Sequence, residues 1–311
     1  MLRRIADSLF WAARSLERAE WRARLVDVDY RLLVETPVEL SQPWTPLLAI
    51  AGEEAAFAER WGEPDETKIL EFFLFDRGNP SSIRACIETA RENTRTLRHT
   101  ISSELWLDLN TLYLDSQRWS LRELESGGLF GFFSDLRERF YRLSGIVSAT
   151  LPRDLGYDFL TLGTMLERAD NVTRLLDVKY HVLLPDVADV GGPIDLLQWA
   201  AVLRSASGLE AYRRAHGNAI RLDRVVDLLL FDATFARSAR FCVERVGGAL
   251  ARIAGGTPSA SRRAADELAE RLACASAADA IAGGLHEFVV GAQSQCADVA
   301  SAVFDDYLRF E

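Results

Sequence analysis

Residues 16–30 read LERAEWRARLVDVDY, and 150 residues later 166–180 read LERADNVTRLLDVKY, identical at nine of fifteen positions. Glu17/Glu167, Arg18/Arg168, Arg24/Arg174, Asp27/Asp177 and Tyr30/Tyr180 are among the identities, and Glu20/Asp170 keeps the charge. The correspondence continues downstream. Trp44 pairs with Trp199 and Phe57 with Tyr212 at an offset of 155; LFDRGNPSSIRACIE (74–88) then pairs with LFDATFARSARFCVE (230–244) at 156. Gly128 and Leu129 match Gly284 and Leu285 at 156 as well. The five-residue step falls near LPDVADVGGP (184–193), a run of breakers, and insertions held to loops leave helices intact. Self-similarity of this extent predicts a tandem duplication. Two repeats are expected, 1–150 and 151–311, fused into one compact unit.

Each repeat reads as helices only. Apolar residues recur every three or four positions, and the alternation of a half-buried strand is nearly absent. A long opening helix is expected at about 2–34 and again at about 159–184. A turn with Pro and Gly follows, then a helix starting near Trp44 or Trp199, then a strongly apolar helix ending at Phe75 or Phe231. NPSS restarts the chain, with Asn79 as N-cap and Pro80 at the first helical position, in a helix running to about His99. Breakers at 126–128 and 255–259 separate the later helices. The expected fold is all-α: duplicated helical bundles related by a pseudo-twofold axis.

The opening helix has an unusual face. At about 100° per residue, Glu17, Glu20, Arg24 and Asp27 share one arc, flanked by Leu9, Leu16, Ala19 and Ala23 on one side and Phe10, Leu25 and Val28 on the other. Arg14, Arg18, Arg22 and Asp29 occupy a separate, polar side. Glu167, Asp170, Arg174 and Asp177 repeat the arrangement. A buried charge costs several kcal/mol unless paired, so two readings stand side by side. In one, each row is a self-pairing salt-bridge network that fixes register. In the other, two rows meet at the pseudo-twofold and line a polar cleft, carboxylates acting as acid and base or holding a cation, and arginines holding a carboxylate or phosphate.

Composition removes several alternatives. The net charge of −10 argues against general nucleic-acid binding. Lys68 and Lys179 are the only lysines and neither follows a glycine, so no Walker loop is present. Cys86, Cys242, Cys274 and Cys296 lack CxxC spacing and read as buried free thiols. No apolar run is long enough to span a bilayer, and the Arg-rich start carries acids unlike a transit peptide, so a cytoplasmic location and no membrane partner are expected.

The combination of LERAE…RLVDV, FLTLGTMLERADNVTRLLDVKY, NPSSIRACIETARENTR and SSELWLDLN resembles the α-E domain family, all-helical bacterial proteins named for a Glu-Arg motif. Residue by residue, the resemblance points to Glu17–Arg18, Glu167–Arg168 and the run Arg91–Glu92–Asn93. In the second repeat ERVGGALAR (244–252) lacks the Glu-Asn, so a site on Glu92 and Asn93 would be single. Such proteins are commonly encoded beside ATP-grasp ligases and transglutaminase-like peptidases. That neighbourhood implies a component of a peptide- or amide-forming system acting on an amino-acid or peptide substrate, with those enzymes as partners. The alternative is a non-catalytic scaffold that binds the ligase or its peptide. Glu17 and Glu167 are the candidate acid/base groups; Arg18, Glu20, Arg24, Asp27, Arg168, Asp170, Arg174, Asp177, Glu92 and Asn93 are candidate substrate binders.

Other chemistries fare less well. No His has Glu three residues before it, which a ferritin-like di-metal site needs. Glu17-x-x-Glu20 and Glu167-x-x-Asp170 could hold a hard cation such as Mg²⁺ through oxygen. There is no Gly-x-Ser-x-Gly elbow. Trp44 and Trp199 read as core wedges, and LRERFYRL (136–143) as a solvated face basic enough to dock an acidic partner.

Overall fold

The computed structural model describes residues 1–35, 44–182 and 192–309. Every regular element among them is helical. The turns expected after the two long helices fall largely outside the described residues, as do the side chains of Lys179, Tyr180 and His181.

The first half runs α1 (Arg3–Glu35), α2 (Thr45–Ala51), α3 (Glu54–Trp61), α4 (Glu66–Leu74), α5 (Ile83–Arg95), α6 (Ser103–Ser116), α7 (Leu121–Gly127) and α8 (Leu129–Thr150). The second runs α9 (Leu155–Val182), α10 (Pro193–Ser205), α11 (Leu209–His216), α12 (Leu222–Val226, continued by a π-turn over Asp227–Phe231), α13 (Ala239–Ala254), α14 (Ala260–Cys274), α15 (Ala277–Ala282) and α16 (Leu285–Val303). The order of long and short helices is the same in both.

Local chemistry recurs with that order. The Asp76 amide donates to the Glu71 carbonyl (2.9 Å) and the Asp232 amide to the Asp227 carbonyl (3.0 Å), ending α4 and the π-turn alike. Ser82 and Ser238 are the N-caps of α5 and α13, their hydroxyls accepting from the amides of Ala85 and Phe241. The thiols of Cys86 and Cys242 each lie 3.8 Å from the carbonyl six residues earlier. The cap of α5 is therefore Ser82, not Asn79. Asn79 is buried and shapes the preceding turn, accepting from the Ser81 amide and donating to the Phe72 carbonyl. Two other starts differ from expectation. α9 begins four residues early because the Asp154 carboxylate caps the Tyr157 amide. α10 begins at Pro193, whose fixed φ suits a first turn, leaving Trp199 inside the helix.

The chain forms two compact units. Unit 1 comprises 1–27, 55–164 and 307–311; unit 2 comprises 28–54 and 165–306. Both long helices serve both: α1 passes into unit 2 at Val28 and α9 at Met165. In unit 1 the core gathers Phe10, Phe57, Phe72, Phe73, Ile87, Leu109 and Phe133, and edge-on ring pairs link Phe57, Phe72 and Phe73. In unit 2 it gathers Leu176, Trp199, Tyr212, Leu229, Val246, Leu268 and Val289. Each such aromatic or branched side chain contributes about 1.5–3 kcal/mol through its removal from water. Cys86, Cys242 and Cys296 are buried as expected, but Cys274 is exposed at the last turn of α14.

Within unit 1 the start of α9 presses its backbone on α1. A Cβ on Gly163 would run into the carbonyl oxygen of Phe10 and lie 3.1 Å from the Ala13 Cβ. Only glycine permits this approach, and no flexible side chain is there to yield. Gly163→Ala is expected to lower unfolding free energy by about 1–3 kcal/mol and Gly163→Val by more. Urea denaturation followed by circular dichroism measures both; an unchanged midpoint for Gly163→Val would contradict this packing.

Candidate functional site

Both charged rows lie where the helical spacing puts them, and each is met from within its own unit. In unit 1, Glu17, Glu20, Arg24 and Asp27 are all buried on α1. Arg24 pairs with Glu20 one turn earlier, and Arg137 of α8 reaches Asp27 at 3.3 Å. Arg22, assigned from sequence to a solvated side, is instead buried, its guanidinium 5.2 Å from the Phe73 ring centroid. The cation–π contact and the apolar length of the side chain make that burial tolerable.

In unit 2, Arg174 Nε donates to Asp170 Oδ2 at 2.8 Å, the same one-turn pairing. His286 of α16 brings Nδ1 within 2.5 Å of Asp177 Oδ1. Glu167 is the most deeply buried member, and its neighbour Arg168 turns outward to donate to the Ala236 carbonyl at 3.2 Å. That dipeptide thus sends its acid inward and its base to the loop before α13.

The rows differ in their access to water. The side chains of Arg24 and Glu20 are 3% and 7% exposed, those of Arg174 and Asp170 40% and 22%. His286 and Asp177 are 38% and 20% exposed, against 35% and 5% for Arg137 and Asp27. The two bases are thus alike, and the difference lies in the carboxylates and in the one-turn pairs. A sealed pair has paid full desolvation, and removing one member strands a charge. A solvated pair contributes little to stability and leaves its charges available to a ligand.

Sealed polar atoms occur in both units, Arg24 Nε among those of unit 1. Asn171 Nδ2 on α9 and Gln293 Nε2 on α16 are sealed from water without a hydrogen-bond partner among the described residues. Buried donors are nearly always satisfied, so acceptors such as carbonyl or carboxylate oxygens are what these two lack.

Glu92 and Asn93 stand elsewhere, on the surface of α5 in unit 1. Glu92 pairs with Arg91 and Arg95, and the Asn93 amide donates to the Thr89 carbonyl. The 136–143 run is not a free basic face. Arg137, Arg139 and Arg142 are engaged with Asp27, Asp115 and Asp108, while Leu136, Phe140 and Leu143 are buried. Among the described residues no three His, Cys, Asp or Glu side chains gather as a metal-holding group, and no helix is long and apolar enough to cross a membrane.

Sequence reasoning missed His286. The signal lay in the departure between repeats: at the 156-residue offset, His286 stands opposite Phe130 and Gln293 opposite Arg137. The equivalent carboxylates Asp27 and Asp177 are therefore met by bases from α8 and α16 at positions two turns apart.

A family model for the Alpha-E domain, described as a predicted alpha-helical domain with a conserved ER motif, matches residues 1–308. The chain belongs to the Alpha-E family. It is also similar to uncharacterized proteins of Mycobacterium bovis and Mycobacterium tuberculosis, at 24% identity over 327 residues. A second M. tuberculosis strain carries one at 23%. The match takes in 96% of this chain but 36% of each relative, so this Alpha-E chain spans little more than a third of their length. No solved structure matches it.

The contrast between rows sets an expected mutational asymmetry. Glu20→Ala should destabilise by about 3–5 kcal/mol by removing a buried carboxylate from Arg24, whereas Asp170→Ala should cost no more than about 0.5 kcal/mol. Chemical denaturation of both variants checks it, and equal losses would contradict it. A pH test concerns Asp29, whose Oδ2 is sealed and unpartnered and whose carboxyl burial pushes up to about 7 from 3.8. The folded state then holds a proton the unfolded state releases, so Asp29 lowers stability progressively as pH rises from about 4 to about 7. Asp29→Asn is expected to gain more than about 1 kcal/mol at pH 8 and nothing at pH 4. A gain equal at both pH values would refute it.

Proposed function

We propose that this Alpha-E chain binds an amino acid or peptide as one component of a peptide- or amide-forming system supplied with energy by an ATP-grasp ligase. The observation that carries the reading is the solvent-reached row on α9, with paired Asp170–Arg174 and Asp177–His286, in contrast to the sealed row on α1. Alternating charges one turn apart suit a zwitterion. The Arg174 guanidinium takes a carboxylate, and Asp170 and Asp177 take an ammonium group. His286, oriented by Asp177, is placed to accept a proton from an amine as it becomes a nucleophile. Glu167, buried in the same row, and Glu17 in the other unit remain the candidate acid/base carboxylates.

The lengths of the relatives support a component role. Nearly two thirds of each mycobacterial protein lies outside the match, so an Alpha-E segment works there beside other polypeptide. A ligase and a transglutaminase-like peptidase are the proposed partners. A second reading, a non-catalytic scaffold for the ligase or its peptide, draws on the sealed Arg24–Glu20 pair, which behaves as a structural lock.

Reconstitution separates them. The ATP-grasp partner, ATP and amino acids are incubated with and without this chain, and products are read by mass spectrometry. Product that depends on the chain is expected. Arg174→Ala should raise the amino-acid KM at least about tenfold, while His286→Ala and Glu167→Gln should lower kcat with the helical signal intact. An identical product spectrum without the chain would favour the scaffold.

A further inference from the structure

An arginine ladder runs along unit 1 on the side of α5. Arg84, Arg91 and Arg98 are spaced seven residues apart and each lies over an aromatic ring. Arg84 stands 4.8 Å from the Phe75 ring centroid and is consumed structurally, donating to the carbonyls of Ser116 and Trp119. Arg91 lies 4.9 Å from Tyr113 and 5.5 Å from Trp106, shares Glu92 and donates to Asn110. Arg98, in the turn after α5, is exposed and lies 4.1 Å from Trp106, and no carboxylate among the described residues pairs with it. The ladder thus opens progressively from a locked end to a free one.

α6 supplies the second half of this surface. Trp106 and Tyr113, two turns apart, receive the guanidiniums; Leu107 and Leu114, one position further on, are 62% and 52% exposed. Apolar anchors two turns apart beside ring-backed arginines have the composition and spacing of a helix-docking strip. Arg91 and Arg95 share the one carboxylate of Glu92, and Arg98 pairs with none among the described residues, so guanidinium outnumbers carboxylate in these pairings and the strip suits an acidic segment.

We propose that the α5–α6 face docks an acidic amphipathic helix of a partner protein, its carboxylates on Arg91 and Arg98 and its apolar side chains on Leu107 and Leu114. A nucleic acid fits less well: the face of Trp106 is already covered by Arg98, so bases have no free ring to stack on, and the leucines offer a backbone nothing. The α5–α6 face belongs to unit 1 and the α9 row to unit 2, and neither proposal depends on the other.

The test uses the full chain and a fluorescein-labelled synthetic helix of about 20 residues, with leucines on one stripe and glutamates flanking it. Comparators replace every Glu with Lys, or every Leu with Ser, and a short DNA duplex is included. Fluorescence anisotropy should show binding of the Glu/Leu helix alone, weakening as salt rises from about 50 to about 300 mM. Arg98→Glu and Leu107→Asp, both at exposed positions, should each weaken it at least about tenfold with unchanged circular dichroism. Arg91→Ala should do the same, and rescue by Lys should fail because a point charge cannot lie flat on the rings. Equal binding of the Lys helix, tighter binding of the duplex, or insensitivity to these substitutions overturns the proposal. So does self-association in sedimentation that the same variants abolish, which would make the occupant a second copy.

Discussion

A charge on a helix face that packs against other helices must find its counter-charge within side-chain reach, because the desolvation cost exceeds what any one helix contributes by propensity. Arg24 finds Glu20 on the same helix, and Asp27 and Asp177 are each met by a base from the last long helix of the same half. The Arg137–Asp27 pair constrains the rotation of α1 relative to α8, since a turn of either helix by one residue would part the buried Asp27 from its base. The Gly163 contact supplies the complementary steric constraint in unit 1, where α9 approaches the α1 backbone too closely for any side chain. Charge sets rotation and glycine sets distance.

From one pattern of residues, two environments have arisen. Glu20–Arg24 and Asp170–Arg174 have the same spacing and the same chemistry, yet one is closed and the other open. The partners differ in kind as well. Asp27 is met by a guanidinium, Asp177 by an imidazole. A row that only had to hold helices together would gain nothing from the histidine, since a solvated pair adds little stability. The proposed function rests on this difference, placing the chemistry on α9 and the lock on α1.

Much of this architecture is legible in the letters. Periodicity gives the helices, and the near-repetition of 16–30 at 166–180 gives their order, because both follow from local spacing. The boundaries that moved did so through single side chains with more than one option. Ser82 rather than Asn79 caps α5 because Asn79 is committed to the Ser81 amide and the Phe72 carbonyl. Asp154 caps α9 early because nothing after Pro152 forbids it. Exposure was not legible, because it depends on what another element lays across a row, and identical rows can be covered differently. Arg22 and Arg137 mislead for the same reason: an arginine in a polar-looking stripe can be held by a ring or a distant carboxylate.

What the α9 row can do also defines what it needs. Paired charges and an oriented imidazole can bind a zwitterion, present an amine and take up its proton, but they cannot activate a carboxylate for attack. Activation requires a phosphoryl donor, and the sequence offers neither a glycine-rich phosphate loop nor a lysine placed to serve one. Under the proposed function the energy-yielding half-reaction falls to the ATP-grasp partner. The exposed Arg98, Leu107 and Leu114 of α5–α6 are a separate feature of unit 1, and the docking proposed for them stands without the α9 row.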